Sequence, residues 1–284
     1  MEKKKSLGQH FLYSKHYLAK IADAAELAAG DLVLEVGPGD GTLTRELLAH
    51  GTNVIAIEKD HRLIPLLRQT FTKEIASGKL RVIEGDILHF DISKCFPTVE
   101  SRESYKVVAN IPYYITGAIL EKFLSARHQP SSMTLLVQKE VAQRITGHPS
   151  TGSTPSTSLG QAGSPQASSG SPKESILSLS VKVYGDPAYV CTVPRGAFAP
   201  PPDVDSAVLV IKNISRRHFS TEKQEERFFA LLHAGFAHKR KLLARNLEPL
   251  LGKEYPHILE NVGISANARA EDLPLEQWLK LITY

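Results

Sequence analysis

Between Leu32 and Gln138 the chain repeats one pattern, a short apolar run that ends in a polar turn and gives way to an amphipathic stretch. The runs are "LVLEVG", "NVIAIE", "LRVIEG", "KVVAN" and "MTLLVQ". Each is too short for a helix and rich in Val, Ile and Leu, as a strand covered on both faces must be. Between them, "TLTRELLAH", "DHRLIPLLRQTF" and "GAILEKFLSA" carry helical spacing. Gly51 closes the first of these, and Pro65 fits the second only within its first turn. Parallel neighbours need a crossover, and the intervening helix supplies it. The pattern therefore predicts an α/β fold with a doubly wound, mostly parallel sheet.

Upstream, Ser14 stands as the N-cap of a helix with Leu18, Ile21, Ala22 and Ala25 on one face, and Gly30 just past its end. Downstream, "ILSLSVKVYG", "AYVCTV" and "SAVLVIKN" read as strands that complete the same sheet. From about Ser220 the spacing turns helical through "EERFFALLHAGFA", "KLLARNLEPLLG", "PHILENVG" and "PLEQWLKLI". The expected organisation is a first domain over residues 1–215 and a small all-helical domain over 216–284. His148–Lys173 interrupts the first: 19 of its 26 residues are Ser, Thr, Gly or Pro, too little apolar surface to offset the entropy of ordering. A disordered surface insertion is expected there.

A length of 284 residues allows two domains, and 42% hydrophobic with 23% charged residues is ordinary for a globular chain. The net charge of +4 is compatible with a polyanionic partner without demanding one. It is unevenly spread: Lys3, Lys4 and Lys5 stand together, and "HAGFAHKRKLLARN" holds Lys239, Arg240, Lys241 and Arg245 with no acid among them. Two distant cysteines, Cys95 and Cys191, offer neither a disulfide framework nor a metal spacing. No apolar region follows the early lysines and no run is long enough to span a bilayer, so a soluble, cytoplasmic protein is expected.

"VLEVGPGDGTLT" sets Gly37, Gly39 and Gly41 between a strand and a helix, where bare backbone can approach a ligand. A dinucleotide fingerprint wants its third glycine where Thr42 stands. Glu35, two residues before Gly37, gives instead the E-x-G-x-G arrangement typical of S-adenosylmethionine sites. Glu58 ends the second strand, where a carboxylate can accept both ribose hydroxyls. Asp86 follows the third, where an adenine amine needs an acceptor. Any one of these acids alone is ordinary strand-end surface; three features on three successive strands point to an adenosyl cofactor.

Asn110 ends the next strand and opens "NIPYYIT". An adenine amine is a poor nucleophile because its lone pair is delocalised into the ring. The Asn110 oxygen and a main-chain carbonyl at or near Pro112 can accept its two N–H bonds and localise that lone pair. Tyr113 can stack on the base, worth about 1–3 kcal/mol. "GAFAPPPDVDSAV" offers a second ring, Phe198, for the other face. No metal is called for.

"KKKSLGQHFL", "EVGPGDGTLT", "GDIL", "NIPYYIT", "QKEVAQRI", "VPRGAFAPPPDVDSAV", "FAHKRKLLARNL" and "RAEDLPLEQW" occur in an order that resembles the ribosomal RNA adenine dimethyltransferase family, the kasugamycin-susceptibility methyltransferases. The likeness spans nearly the whole chain outside the insertion. It implies a Rossmann-like methyltransferase domain and a small helical RNA-binding domain in a monomer. It implies His10 and Leu12 covering S-adenosylmethionine, with Gly37, Gly39, Glu58, Asp86, Ile87 and Asn110 lining its site. It implies Asn110, Pro112 and Tyr113 holding the target amine, and Phe198 packing against the base. Lys239, Arg240, Lys241 and Arg245 become candidates for phosphate contacts. The implied activity is dimethylation of the N6 amines of two adjacent adenosines near the 3′ end of small-subunit ribosomal RNA, on an immature small subunit.

Three rivals share some of these features. A macrolide-resistance methyltransferase shares "NIPY" but modifies large-subunit RNA; "GAFAPPPDVDSAV" and "RAEDL" favour the small-subunit type. A non-catalytic assembly factor on the same scaffold is disfavoured by the intact Asn110, Pro112 and Tyr113. A nicotinamide oxidoreductase is disfavoured by Thr42.

Overall fold

The computed structural model describes residues 10–95, 104–147, 173–238 and 240–284. The expected insertion, except Lys173, lies outside these residues, as do Lys3, Lys4, Lys5 and Lys239. The described chain separates into two units, one holding 1–142 and 180–218, the other 143–179 and 219–284. The second thus draws in a stretch that precedes the expected boundary after residue 215.

The first unit opens with a two-residue strand β1 (Phe11–Leu12), followed by α1 (Lys15–Ala24), β2 (Leu32–Val36), α2 (Thr42–Ala49) and β3 (Asn53–Glu58). Next come α3 (Ile64–Thr70), α4 (Thr72–Ala76), β4 (Leu80–Glu84), β5 (Tyr105–Asn110), α5 (Thr116–Leu124), β6 (Ser132–Gln138) and α6 (Lys139–Thr146), whose second half belongs to the second unit. After α7 (Ile176–Lys182), whose first half belongs to the second unit, the sheet is finished by β7 (Asp186–Val193) and β9 (Ser206–Lys212), with a short β8 (Phe198–Ala199) between them. Strand order is β4-β3-β2-β5-β6-β9-β7. The first five run parallel; β9 runs antiparallel to β6, and β7 antiparallel to β9. The expected α/β sheet is therefore present, with all five early runs as its strands. Val107, Val108 and Ala109 are wholly buried, as are Leu135, Leu136 and Val137. Each such valine or leucine contributes about 1.5–3 kcal/mol of apolar burial.

One expected strand is a helix. "ILSLSVKVYG" alternates like a half-buried strand from Leu177 onward, yet residues 176–182 form α7. Two serines decide it: the Ser178 N–H donates to Ser175 Oγ at 3.1 Å and the Ser175 N–H to Ser178 Oγ at 2.7 Å. That reciprocal cap satisfies the orphan N–H groups of a first helical turn, which alternation cannot reveal. The first helix also ends early, at Ala24, and Glu26 rather than Gly30 makes the first reversal, at φ 49°. Ser14 holds the cap position, but its hydroxyl makes no bond to the helix.

The second unit carries α8 (Glu222–Phe236), α9 (Leu243–Leu251), α10 (Tyr255–Val262) and α11 (Leu275–Leu281). Phe228, Leu231, Leu232, Leu247 and Trp278 are fully buried. Phe236 stacks on Trp278 at 5.8 Å, and a Cβ at Gly235 would overlap the Trp278 ring, so the close approach of α8 to α11 needs glycine there. No helix among the described residues is long and apolar enough to cross a membrane.

Candidate active site

Register alone brings the site residues level. Val36 pairs with Ile57 on one side and with Ala109 on the other. The next residue of each strand, Gly37, Glu58 and Asn110, therefore emerges in one row at the carboxyl edge. Glu58 pairs in turn with Glu84, which delivers Gly85 and Asp86 to the same edge. This is where an open parallel sheet holds its ligand. One cleft lies there, enclosing about 1230 Å³ including its open mouth.

The glycine turn shapes the cleft floor. Gly37, Gly39 and Gly41 adopt φ 68°, 62° and 82°, left-handed values that a side chain resists. At two of them space is also closed: a Cβ on Gly39 would lie 2.7 Å from the Phe11 ring, and one on Gly41 would overlap Phe71. Phe11 thus lies directly on the turn.

Glu58 is buried and accepts from the Gly39 N–H through Oε2 at 3.0 Å and from the Asp60 N–H through Oε1 at 2.7 Å. Burial pushes its carboxyl up, and those two donors only partly counter it. Asp86 also feels burial as its largest influence, upward. Its ion pair with Lys59 Nζ at 2.8 Å, the Leu88 N–H and His89 together outweigh it, and the carboxyl sits below the usual range. Ile87 is buried beside it in the cleft lining. Glu35 is different in kind. It is 1% exposed, lies outside the cleft lining, and accepts from Thr44 Oγ1 at 2.7 Å. Burial, without a partner for Oε1 among the described residues, pushes it up to about 8.

Asn110 and Tyr113 stand across from the acids. The Asn110 Nδ2 donates to the His10 main-chain oxygen at 3.0 Å. A carbonyl oxygen only accepts, so the orientation of the amide follows: nitrogen on His10, oxygen left as an acceptor in the cleft wall. The Pro112 carbonyl accepts from the Ile115 N–H at 3.2 Å and closes a short 3₁₀ turn over Tyr113–Ile115. That turn presents the half-buried Tyr113 ring, whose hydroxyl shares a hydrogen bond with Ser206 Oγ at 2.6 Å. Burial, chiefly, pushes the Tyr113 phenol up. The His10 imidazole lies nearly parallel to the Tyr113 ring, 19° apart with centroids at 6.1 Å, and its Nδ1 is 2.9 Å from the Pro200 oxygen. Tyr114, in contrast, is 67% exposed at the cleft mouth.

His10, Leu12, Gly37, Gly39, Glu58, Asp86, Ile87, Asn110, Pro112 and Tyr113 are thus brought together in one cleft. Phe198 is not. It is 5% exposed and pairs with Leu12 in the β1–β8 ribbon, packed in the apolar core instead of lining the cleft. The strand pairing that holds the N-terminal segment over the site turns that ring inward. Arg240, Lys241 and Arg245 are exposed in the second unit. The sequence reading missed Phe11, Lys59 and Ser206. Only Ser206 left a visible signal, a hydroxyl in the otherwise apolar run "SAVLVI".

Residues 1–162 and 160–284 match the family model for ribosomal RNA adenine dimethylase. The chain belongs to this family. It is 41% identical over 284 residues to a ribosomal RNA small subunit methyltransferase A of Dehalococcoides mccartyi, covering 99% of this chain and 88% of that relative. The corresponding protein of Thermosynechococcus vestitus is 39% identical, with 98% and 95% covered. Among solved structures, a dimethyladenosine transferase from Plasmodium falciparum superposes with a TM-score of 0.73 at 27% identity, covering 96% of each chain. The 23S ribosomal RNA methyltransferase ErmE superposes at 0.71 and 26% identity, covering 96% of this chain and 98% of its own. The adenine dimethylase family thus accounts for the Rossmann-like sheet and for the whole length of the chain.

Proposed function

We propose that this cleft binds S-adenosylmethionine beside an extruded adenine of small-subunit ribosomal RNA, and that the chain dimethylates the N6 amines of two adjacent adenosines there. The observation that carries the reading is the Asn110 amide, fixed by its nitrogen to the His10 carbonyl, in the same cleft as Tyr113.

The residues present fit an adenosyl cofactor. Bare backbone at Gly37 and Gly39 gives room for its amino-acid arm. The Glu58 carboxylate, met by the main-chain N–H groups of Asp60, Gly39 and Lys59, keeps acceptor capacity for a ribose hydroxyl, and Asp86 remains an anion able to accept from an amine. His10 and Leu12 close the cleft from the N-terminal side. When bound, the cofactor supplies an electrophilic methyl on a sulfonium sulfur.

The protein's own task is to make a weak nucleophile competent. Asn110 Oδ1 and a main-chain carbonyl at or near Pro112 accept the N–H bonds of the amine and draw its lone pair out of the ring. Tyr113 holds the base by its face, which replaces the stacking lost on extrusion. The lone pair itself attacks, so no side chain has to remove a proton first. A second methyl must enter where one N–H has been replaced, which demands that one acceptor suffice.

Exposed Arg240, Lys241 and Arg245 are proposed phosphate contacts; nothing is assigned to Lys239. Small-subunit RNA is favoured over large-subunit RNA by the names of the relatives at 39–41% identity. The deciding test is mass spectrometry of RNA nucleosides after incubation with labelled S-adenosylmethionine. Dimethyladenosine from small-subunit particles is expected; label found solely in naked large-subunit RNA would reverse the assignment.

A further inference from the structure

We infer that Ser206, a residue remote in sequence from the "NIPYYIT" turn, is the positioning residue that sets the plane of the Tyr113 ring. The inference rests on the reading of Tyr113 as the platform for the target base and extends it to a part of the chain that contacts no ligand.

Ser206 is 0% exposed. It opens β9 and is paired on both sides, with Gln138 of β6 and with Val193 of β7. Its backbone is therefore held by two strands, and its hydroxyl has little freedom beyond rotation. Five apolar residues, Ala207–Ile211, follow it, so a hydroxyl at this place is out of character for a strand covered on both faces. A buried hydroxyl needs a partner. The partner is the Tyr113 phenol, at 2.6 Å.

The mechanical consequence follows from the tyrosine side chain. Its ring moves by two torsions, and the short 3₁₀ turn that carries it fixes only the Cα end. A bond at the phenol oxygen pins the far end of the ring axis. Because the phenol O–H and its lone pairs favour the ring plane, a Ser206 Oγ held still by β9 also biases rotation about that axis. Asn110, from β5, and the Tyr113 ring, through β9, are then referenced to one rigid frame on either side of β6. An amine must be aligned to within fractions of an ångström for transfer, so ring tilt bears on turnover more than on binding.

The test is a double-mutant cycle of Ser206→Ala and Tyr113→Phe, assayed on small-subunit particles with kcat and KM for RNA and for S-adenosylmethionine measured separately. Each single change removes one side of the bond. About a tenfold fall in kcat is expected for each, with KM for the cofactor unchanged, and the double variant should be no slower than the slower single. Ser206→Thr, which keeps the hydroxyl, should recover most of the loss. Independent, multiplying losses would overturn the inference, as would wild-type kcat in Ser206→Ala. If Ser206→Ala fails to fold, Tyr113→Phe alone decides, and a wild-type kcat in that variant overturns the inference. Failure of the underlying reading looks different: Tyr113→Ala itself would then methylate at the wild-type rate.

Discussion

The side-chain nitrogen of Asn110 is bonded to the main-chain oxygen of His10, 100 residues earlier in the chain. The bond ties the end of β5 to the segment that enters β1, and it decides which way the carboxamide faces. Asn110→Ala removes both the tether and the acceptor. Asn110→Asp leaves an acceptor but sets a carboxylate against the His10 carbonyl. Both should lower kcat by about 10²–10³-fold, the scale for a lost preorganised polar group, while Tm shifts by a few degrees at most. Single-turnover methylation read beside a thermal melt checks this; an alanine variant within twofold of wild type would sink it.

Gly39 lies under the Phe11 ring at φ 62°. Gly39→Ala meets two costs, about 1–2 kcal/mol for the left-handed backbone and a clash that can only be relieved by moving Phe11. Because His10, the tether for Asn110, directly precedes Phe11, displaced Phe11 should weaken cofactor binding at least about tenfold and slow transfer as well. Adding Phe11→Leu opens the space and should restore part of the binding. Titration calorimetry with S-adenosylhomocysteine reads the effect, and no recovery in the double variant would place the cost elsewhere.

The sheet was legible because its strands are apolar runs separated by helices, a pattern with few alternative folds. The cleft at the carboxyl edge was legible for the same reason: a residue at or just past the end of a parallel strand has one place to go, and Gly37, Glu58, Asp86 and Asn110 all line that cleft. What was hidden depended on distant pairing. Nothing around Phe198 in "GAFAPPP" says that it will face Leu12 across a two-residue ribbon. The cap between Ser175 and Ser178 is a different case, a local pair three residues apart that the alternation of "ILSLSVKV" masked. A local pattern records what a residue prefers, and these positions were decided by what it meets.

The second unit supplies an electrostatic prediction. Arg240, Lys241 and Arg245 are exposed, and no acid separates them in sequence. If they contact phosphates, each alanine substitution should weaken RNA binding across sequences and lower the slope of log K against log salt by about 0.7–1. Filter binding from 50 to 300 mM salt, roughly the range where such contacts dominate, gives the slope directly. An unchanged slope in the triple variant would mark a solvated helix face and nothing more.

Glu35 makes a prediction about stability. Its carboxyl is wholly buried with one oxygen unpartnered among the described residues, and it is pushed up to about 8 from an ordinary 4.5. In that interval the folded chain keeps a proton that the unfolded chain has released. Stability must therefore fall as pH rises from 4.5 toward 8, and level off above. Glu35→Gln keeps the shape and an acceptor for Thr44 but cannot ionise. It should be less stable than wild type at pH 5, where the buried amide N–H bonds lack partners, at a cost of about 1–3 kcal/mol. Between pH 5 and pH 8.5 it should recover by about 2–5 kcal/mol relative to wild type, because wild type alone bears the growing cost of a buried charge. Glu58, also pushed up by burial and coupled by charge to Glu35, leaves a residual slope of the same sign in both proteins, so the difference between them reports Glu35 together with that coupling. Denaturant unfolding at the two pH values gives that difference. Parallel stability curves would mean that water reaches Glu35 and that the carboxyl ionises at no cost.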